Sequence, residues 1–516
     1  MTTDALGVKL VWDLLCSAVN TASKAEKHSA FSTAVTEAND FACAVLTTTG
    51  RLIATSDSAL PSFAIMISSS VKELIARGDL ENPQPGDVYI CNDPWLTTQN
   101  NDILVIKPIF RGDWFEGYGV SMAHNPDLGG LQQLSKAKDY FEEGLQIPLV
   151  SLFDRGQRND TSWKMIAANS RTAEQSIGDI EAQVVAVESI SERTVEMLAG
   201  EGDTTLDGWA EEIFRRTASV VRGRISELPD GVYTAEKSFP DRDLGLTAGV
   251  TVDLRVSVTI RGDEMTIDYR DTSDAVVGSV NSLHPFTVAY TLYALHLLFA
   301  SGISHNDGVG EPVEILTRPG SALAAAPPSP TWYRFLIGHR ACDLITRALA
   351  NLVPDRARAE SGSAPAWVMM FIPVEGERKN VPRMFSLAGG SGAGVDLAGS
   401  TVHYPANIGN TPVEVLEKAL PIRVISKQLV RGSGGAGLQP GGEGQRVEFE
   451  ALAPMLCSFM GGNFDVAPRG IFGGGDGATG FASVGGEEIR PGTFPIAEGQ
   501  RVVFQSPGGG GSGAAP

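Results

Sequence analysis

Residues 86–130 read GDVYICNDPWLTTQNNDILVIKPIFRGDWFEGYGVSMAHNPDLGG, and the fold turns on this stretch. Apolar runs at Asp87 to Cys91, Ile103 to Phe110 and Tyr118 to Met122 predict three strands. Polar clusters follow two of them, Asn92-Asp93-Pro94-Trp95 and Ala123-His124-Asn125-Pro126-Asp127. Asp or Asn before Pro is turn chemistry, because the short side chains bond the neighbouring backbone and Pro presets φ. Strands joined in this way set several oxygens and one imidazole on loops at one edge of a sheet, a usual place for function.

The rest of the chain supports a sizeable core. At about 150 residues per domain, 516 residues imply roughly three domains or lobes. Forty-one Lys and Arg against 61 Asp and Glu give a net charge of −20, which opposes binding to nucleic acid or an anionic membrane. Five scattered cysteines, Cys16, Cys43, Cys91, Cys342 and Cys457, form no C-x-x-C pair and read as reduced and buried. The N-terminus MTTDALGVKL lacks the basic and apolar regions of a secretory signal. The most apolar run, Thr287 to Ile303, is too short to span a bilayer and reads as a buried helix. A cytoplasmic protein is the expectation.

Taken in order, residues 7–28 show apolar positions at Leu10, Leu14, Leu15, Ala18 and Val19, the spacing of an amphipathic helix. Strands at Phe41 to Leu46 and Leu52 to Ala54 flank a turn at Thr49-Gly50, and a helix starts near Ser62. Ser162 to Arg224 is rich in helix formers and lacks Pro, which predicts a helical arm. Val250 to Arg270 alternates as strands do, with a hairpin turn at Arg261-Gly262-Asp263. Ala324 to Pro330 reads as a linker or exposed loop, and Arg340 to Val353 as a helix. From Arg383 onward glycine-rich segments separate short alternating runs such as Arg423 to Leu429 and Val447 to Leu452, predicting a β-rich lobe. The fold class expected is α+β with mixed sheets, divided at 1–160, 161–226, 227–382 and 383–516.

The same residues carry a resemblance. The chain resembles the B-subunit family of ATP-dependent hydantoinases and oxoprolinases, to which B-type subunits of acetone and acetophenone carboxylases belong. That family shows NDPW-x-G-x-G-H-x-x-D and a later His-x-x-Asp-x-Gly-Gly turn. The second motif is matched by His124, Asp127, Gly129 and Gly130, the first by Asn92, Asp93, Pro94, Trp95 and Asp102, with one residue fewer between Trp95 and Asp102 than the family pattern has. Gln99, Asn100 and Asn101 stand where the first motif has its histidine, and Phe63, after Leu60-Pro61, where an Ile-Pro-x-His element has another. Further matches are Asp40, Phe41, Ala42 and Ala44; Glu143, Gly144, Leu145, Ile147 and Pro148; Asn169, Arg171, Gly178, Asp179, Ala182 and Gln183; and Gly278, Val280 and Asn281. Asn281 reads more simply as a helix cap. Asn410 to Glu414, Ser433 to Gly437 and Pro507 to Gly511 extend the resemblance to the C-terminus.

Gly475, Gly477 and Gly480 spell G-x-G-x-x-G, but no βαβ pattern surrounds them and a dinucleotide site is set aside. No phosphate-binding G-x-x-x-x-G-K-[ST] loop, H-E-x-x-H or G-x-S-x-G motif is present. The chemistry that remains lies in Asp40, Asp93, Asp102, His124 and Asp127, hard oxygen donors with one imidazole, a mixture that suits zinc, manganese or iron. The resemblance implies Asp40, Asp102 and His124 as ligands of a divalent metal (Zn, Mn or Mg) and His124, Asp127 and Glu143 as catalytic groups. With two histidines gone, magnesium or no metal fits as well, and His124 bonded to a carboxylate to brace its loop is an equal reading. The resemblance implies a subunit that acts with an ATP-binding A-type partner on a small carbonyl substrate. Cyclic amide hydrolysis suits the chain length, ketone carboxylation is the alternative, and a non-catalytic subunit supporting a second B-type subunit is the third reading. His339 and His403 lack a motif.

Overall fold

The structure is a computed structural model that describes residues 5–133, 136–246, 249–362, 366–373 and 380–515. Its N-terminal part is built on a seven-stranded antiparallel sheet: β1 Phe41–Leu46, β2 Leu52–Thr55, β3 Val88–Cys91, β4 Asp102–Arg111, β5 Trp114–His124, β6 Val150–Asp154 and β7 Gln157–Arg158, in the order β2-β1-β5-β4-β3-β6-β7. Side chains alternate across its two faces. Phe41, Cys43 and Val45 meet the Ala5–Ser29 helix on one side, while Ala42, Ala44 and Leu46 join the core containing Phe63 and Phe286 on the other.

The Ala5–Ser29 helix is amphipathic, but its buried face is Val8, Val11, Leu15, Ala18, Val19 and Ala22, and Leu10 and Leu14 are exposed. The expected stripe was rotated, because Leu15 and Val19 fit both registers and the sheet selects one. The helical stretch forms Asp160–Asn169, Ala173–Ala199 and Leu206–Ser226. Ala173–Ala199 lies along β4 and β5, where buried Gln183 donates from Nε2 to the carbonyl of Ile103 at 3.0 Å.

A mixed four-stranded sheet follows, with Gly231–Pro240, Thr251–Arg261, Glu264–Asp268 and Val313–Leu316, the last two parallel and the others antiparallel. Its hairpin turns at Gly262, whose φ of 61° suits glycine. The helices His284–Phe299 and Arg340–Leu349 pack against each other behind it. The glycine-rich region holds a four-stranded and a five-stranded antiparallel sheet sharing one core of Val368, Phe385, Phe449, Phe459 and Phe504. The class is α+β, as the alternation and helix patterns predict.

Glycine repetition there reflects close approach of backbones. Gly508 to Gly511 donate in turn to the carbonyls of Ala478, Gly442, Glu360 and Gly475, and a Cβ on Gly508 would lie 1.9 Å from the Ser433 oxygen. Gly477 faces Gly508 in the same way, so the G-x-G-x-x-G string is packing. All five cysteines are free thiols, four of them buried. Among the described residues no helix is long and apolar enough to cross a membrane.

Candidate functional site

In an antiparallel sheet the start of one strand lies beside the end of its neighbour. Asp40 therefore precedes β1, His124 ends β5 and Asp102 opens β4 at one edge of the sheet. Asp102 and His124 are direct partners in the β4 and β5 register, and the His124 amide donates to the Asp40 carbonyl at 2.9 Å. All three have even numbers and share a face with Ala42, Leu104 and Met122, toward the core around Phe63 and Phe286. The fold thus brings together the three residues that the family resemblance implies as ligands.

His124 Nδ1 lies 2.8 Å from Asp102 Oδ1, and Nε2 is buried without a hydrogen-bond partner among the described residues. The other Asp102 oxygen accepts from Nη2 of Arg334, a residue 232 positions away. Arg334 also donates from Nη1 to Gln99 Oε1 at 2.6 Å and from Nε to Thr98 Oγ1 at 2.7 Å, with its guanidinium 4.7 Å above the Phe286 ring. Sequence reading missed Arg334. One signal was available: a single cation in the apolar run Trp332 to Ile337 must find a carboxylate if the run is buried.

These groups line a cavity of about 60 Å³ beside Phe63, Phe286, Trp332, Trp367 and Met460. His339 lines it too, stacked on Phe286, with Nδ1 unpartnered among the described residues; burial and the Arg340 and Arg334 charges hold its imidazole neutral, well below its ordinary value. Burial opposes a charge on His124, but the Asp102 hydrogen bond and charge, with Asp40 behind them, outweigh it and raise its pKa. Burial pushes the Asp40 carboxyl up to about 6, against the pull of His124 and Arg334.

Asp127 and Glu143 do not line this cavity. Asp127 accepts from Arg171 through Nη1 at 2.6 Å and through its backbone N–H, fastening the 125–130 turn to the start of the long helix. Glu143 is fully buried and accepts from the backbone N–H groups of Thr331 and Trp332 at 2.7 and 2.8 Å and from Thr331 Oγ1 at 3.0 Å, anchoring the segment that carries Arg334. Burial raises its carboxyl to about 7. Asp93 caps the Pro94–Thr97 turn and pairs with Arg77. Asn100 and Asn101 bond backbone carbonyls of Tyr140 and Asn125, leaving Gln99 as the member of that trio on the cavity.

Two expectations need correction. Asn281 does not cap the His284–Phe299 helix, whose N-cap is Leu283; its amide bonds both the N–H and the C=O of Val276, closing the loop before the helix. Ala324 to Pro330 is an exposed loop, as expected, only at its middle, where Ala326, Pro327 and Pro328 are exposed; it is no linker, since Ala324, Ala325 and Pro330 are buried and the run leads the chain into Thr331 and the site.

The three residues expected to bind a metal do not fit one as arranged. Both oxygens of Asp102 and Nδ1 of His124 are engaged in hydrogen bonds, and a guanidinium stands against the cluster. Among the described residues no group of three or more His, Cys, Asp and Glu side chains is placed to hold a metal ion.

The chain's class is set by its match over almost its whole length: the Hydantoinase B/oxoprolinase family matches residues 4–515, and the chain belongs to it. It is 28% identical over 509 residues to a candidate B-type D-/L-hydantoinase component of Pseudomonas sp. (strain NS671), covering 94% of this chain and 85% of that one. It is 26% identical to the beta chain of the caprolactamase of Pseudomonas jessenii, covering 83% and 77%, and 26% identical to the 5-oxoprolinase of Saccharomyces cerevisiae, covering 94% of this chain but 40% of that one. The crystal structure of the ATP-dependent caprolactamase from Pseudomonas jessenii superposes with a TM-score of 0.90 at 22% identity, over 100% of this chain and 93% of that chain, and shares its fold.

Proposed function

We propose that this chain is the B-type subunit of a heteromeric ATP-dependent enzyme acting on a small carbonyl substrate, with opening of a cyclic amide as its reaction. The observation that supports this best is the Asp102 and His124 pair at a small, mostly apolar cavity in a chain whose relatives include a caprolactamase beta chain and 5-oxoprolinases. Asp102 holds His124 by Nδ1, so Nε2 is the atom left to meet a reacting group. In the reaction His124 Nε2 takes a proton from water as its oxygen bonds the carbonyl carbon; the carbon–nitrogen bond then breaks and the nitrogen receives that proton. The sequence carries no phosphate-binding loop of the G-x-x-x-x-G-K-[ST] kind, and ATP is assigned to an A-type partner, which transfers its γ-phosphoryl group to the carbonyl oxygen and releases ADP; once the carbon–nitrogen bond has broken, the acyl phosphate that remains is hydrolysed by a second water to the acid and inorganic phosphate.

A second reading rests on Phe63 and Gln99 to Asn101, which replace the histidines of the family pattern. In it this chain is a non-catalytic support for another B-type subunit. One experiment separates these readings. The complex recovered from its own host is given ATP with hydantoin, 5-oxoproline or caprolactam, and ADP and ring-opened acid are measured by mass spectrometry. Turnover that falls at least 100-fold in His124→Ala supports cyclic amide hydrolysis here. Bicarbonate-dependent gain of carbon by a ketone substrate favours carboxylation instead, and ring opening unchanged by His124→Ala favours the supporting role.

A further inference from the structure

The cavity already contains a fixed cation. Asp102 is fully buried, and a buried carboxylate left alone is costly, so its charge must be balanced by a partner. That partner is Arg334, itself buried and held by Asp102, Gln99 and Thr98 from one short stretch and by the Phe286 ring from a second, distant part of the chain. The two departures from the family pattern are coupled here. Gln99, in the trio that replaces a histidine, accepts from Arg334, and Phe63, which replaces the other, lines the same cavity as a hydrocarbon wall.

We propose that Arg334 is the resident cation of this site, standing in the electrostatic place of a divalent metal, and that it receives the carbonyl oxygen of the ligand. A guanidinium has five N–H bonds. Three are used by Asp102, Gln99 and Thr98, which leaves two for an oxygen in the cavity. The protein acceptors fix the plane of the guanidinium before the ligand arrives, and in a cavity walled by Phe63, Phe286 and Trp332 its field is poorly screened. A divalent ion entering beside it would meet that same unscreened positive charge and a carboxylate with no free oxygen. The choice of a carbonyl oxygen rests on the function proposed above, whereas the charge argument stands without it.

The test uses the full chain and measures Zn²⁺ and Mn²⁺ binding by calorimetry, with bound metal counted by elemental mass spectrometry. The unmodified chain is expected to show no metal that His124→Ala removes. Arg334→Ser frees an Asp102 oxygen and takes away the charge, and is expected to bind Zn²⁺ at least tenfold more tightly, an effect lost again in the Arg334→Ser, His124→Ala double variant. Arg334→Lys keeps a cation and is expected to exclude metal as the unmodified chain does, which serves if Arg334→Ser fails to fold. Stoichiometric metal in the unmodified chain that disappears in His124→Ala, or in Arg334→Lys metal binding tenfold tighter than in the unmodified chain, overturns the proposal. In the active complex Arg334→Lys should raise KM for the carbonyl substrate at least tenfold, because an ammonium cannot hold the protein acceptors and the ligand in one plane; an unchanged KM overturns the ligand contact. The metal measurements need no turnover, so they decide the proposal even if the chain does not open amides.

Discussion

Replacing Glu143 separates a structural anchor from a proton-transfer group. In Glu143→Ala the backbone N–H groups of Thr331 and Trp332 and the Thr331 hydroxyl lose their common acceptor in a fully buried place. Each stranded donor costs roughly 1–3 kcal/mol, and water entering the vacated space recovers part, so a net loss of about 3–5 kcal/mol is expected. Glu143→Gln keeps one oxygen for the two N–H groups, and its amide can donate to the Thr331 hydroxyl, so roughly 1 kcal/mol is expected. The carboxyl is raised from 4.5 to about 7 by burial, so its contribution is fully present below pH 4.5 and is lost as pH rises through 7. Urea denaturation at pH 5 and pH 8 reads both effects. The unmodified chain should lose roughly 3 kcal/mol relative to Glu143→Gln between those limits. Hydrogen exchange at Thr331 and Trp332 should accelerate in Glu143→Ala. Equal losses in Ala and Gln, or a difference that does not move with pH, would refute the anchoring role.

Other consequences can be measured alongside. Glu26 is fully buried against Cys43 and Ser121, and burial raises it from 4.5 to about 8, so stability should fall between those pH values by up to roughly 5 kcal/mol; Glu26→Gln should flatten that slope in denaturation at pH 5 to 8.5. Asp127→Ala leaves Arg171 without its buried carboxylate and should cost about 3 kcal/mol by urea titration, with the 125–130 turn becoming the first protease-sensitive site. Gly508→Ala should yield no soluble folded chain, because its Cβ would meet the Ser433 carbonyl at 1.9 Å with backbone on the far side; recovery of folded protein by circular dichroism would contradict the packing described.

The outcome for each site residue follows from how local its information is. Asp40, Asp102 and His124 could be named from the sequence because they stand in motifs shared with the resembling family, and each lies at a strand end where strand alternation fixes the face it takes. Asp127 was visible in a turn and Glu143 in a segment shared with the resembling family, yet their positions depend on partners: Arg171 is 44 residues from one, and Thr331 is 188 from the other. The Ala5–Ser29 helix shows the same limit, since two apolar stripes share Leu15 and Val19 and only the sheet chooses between them.

Periodicity and turn chemistry determined the α+β class, and motif spacing carried the resemblance that gave the family and pointed to Asp40, Asp102 and His124, because all of these are properties of neighbours along the chain. Tertiary structure decided what those three residues do. It delivered Arg334 from 232 residues away to Asp102, braced it with Gln99 and Thr98, and surrounded the set with aromatic walls. Charge balance in a buried cavity depends on everything within a few ångströms, and no local pattern records which distant segment supplies the opposite sign.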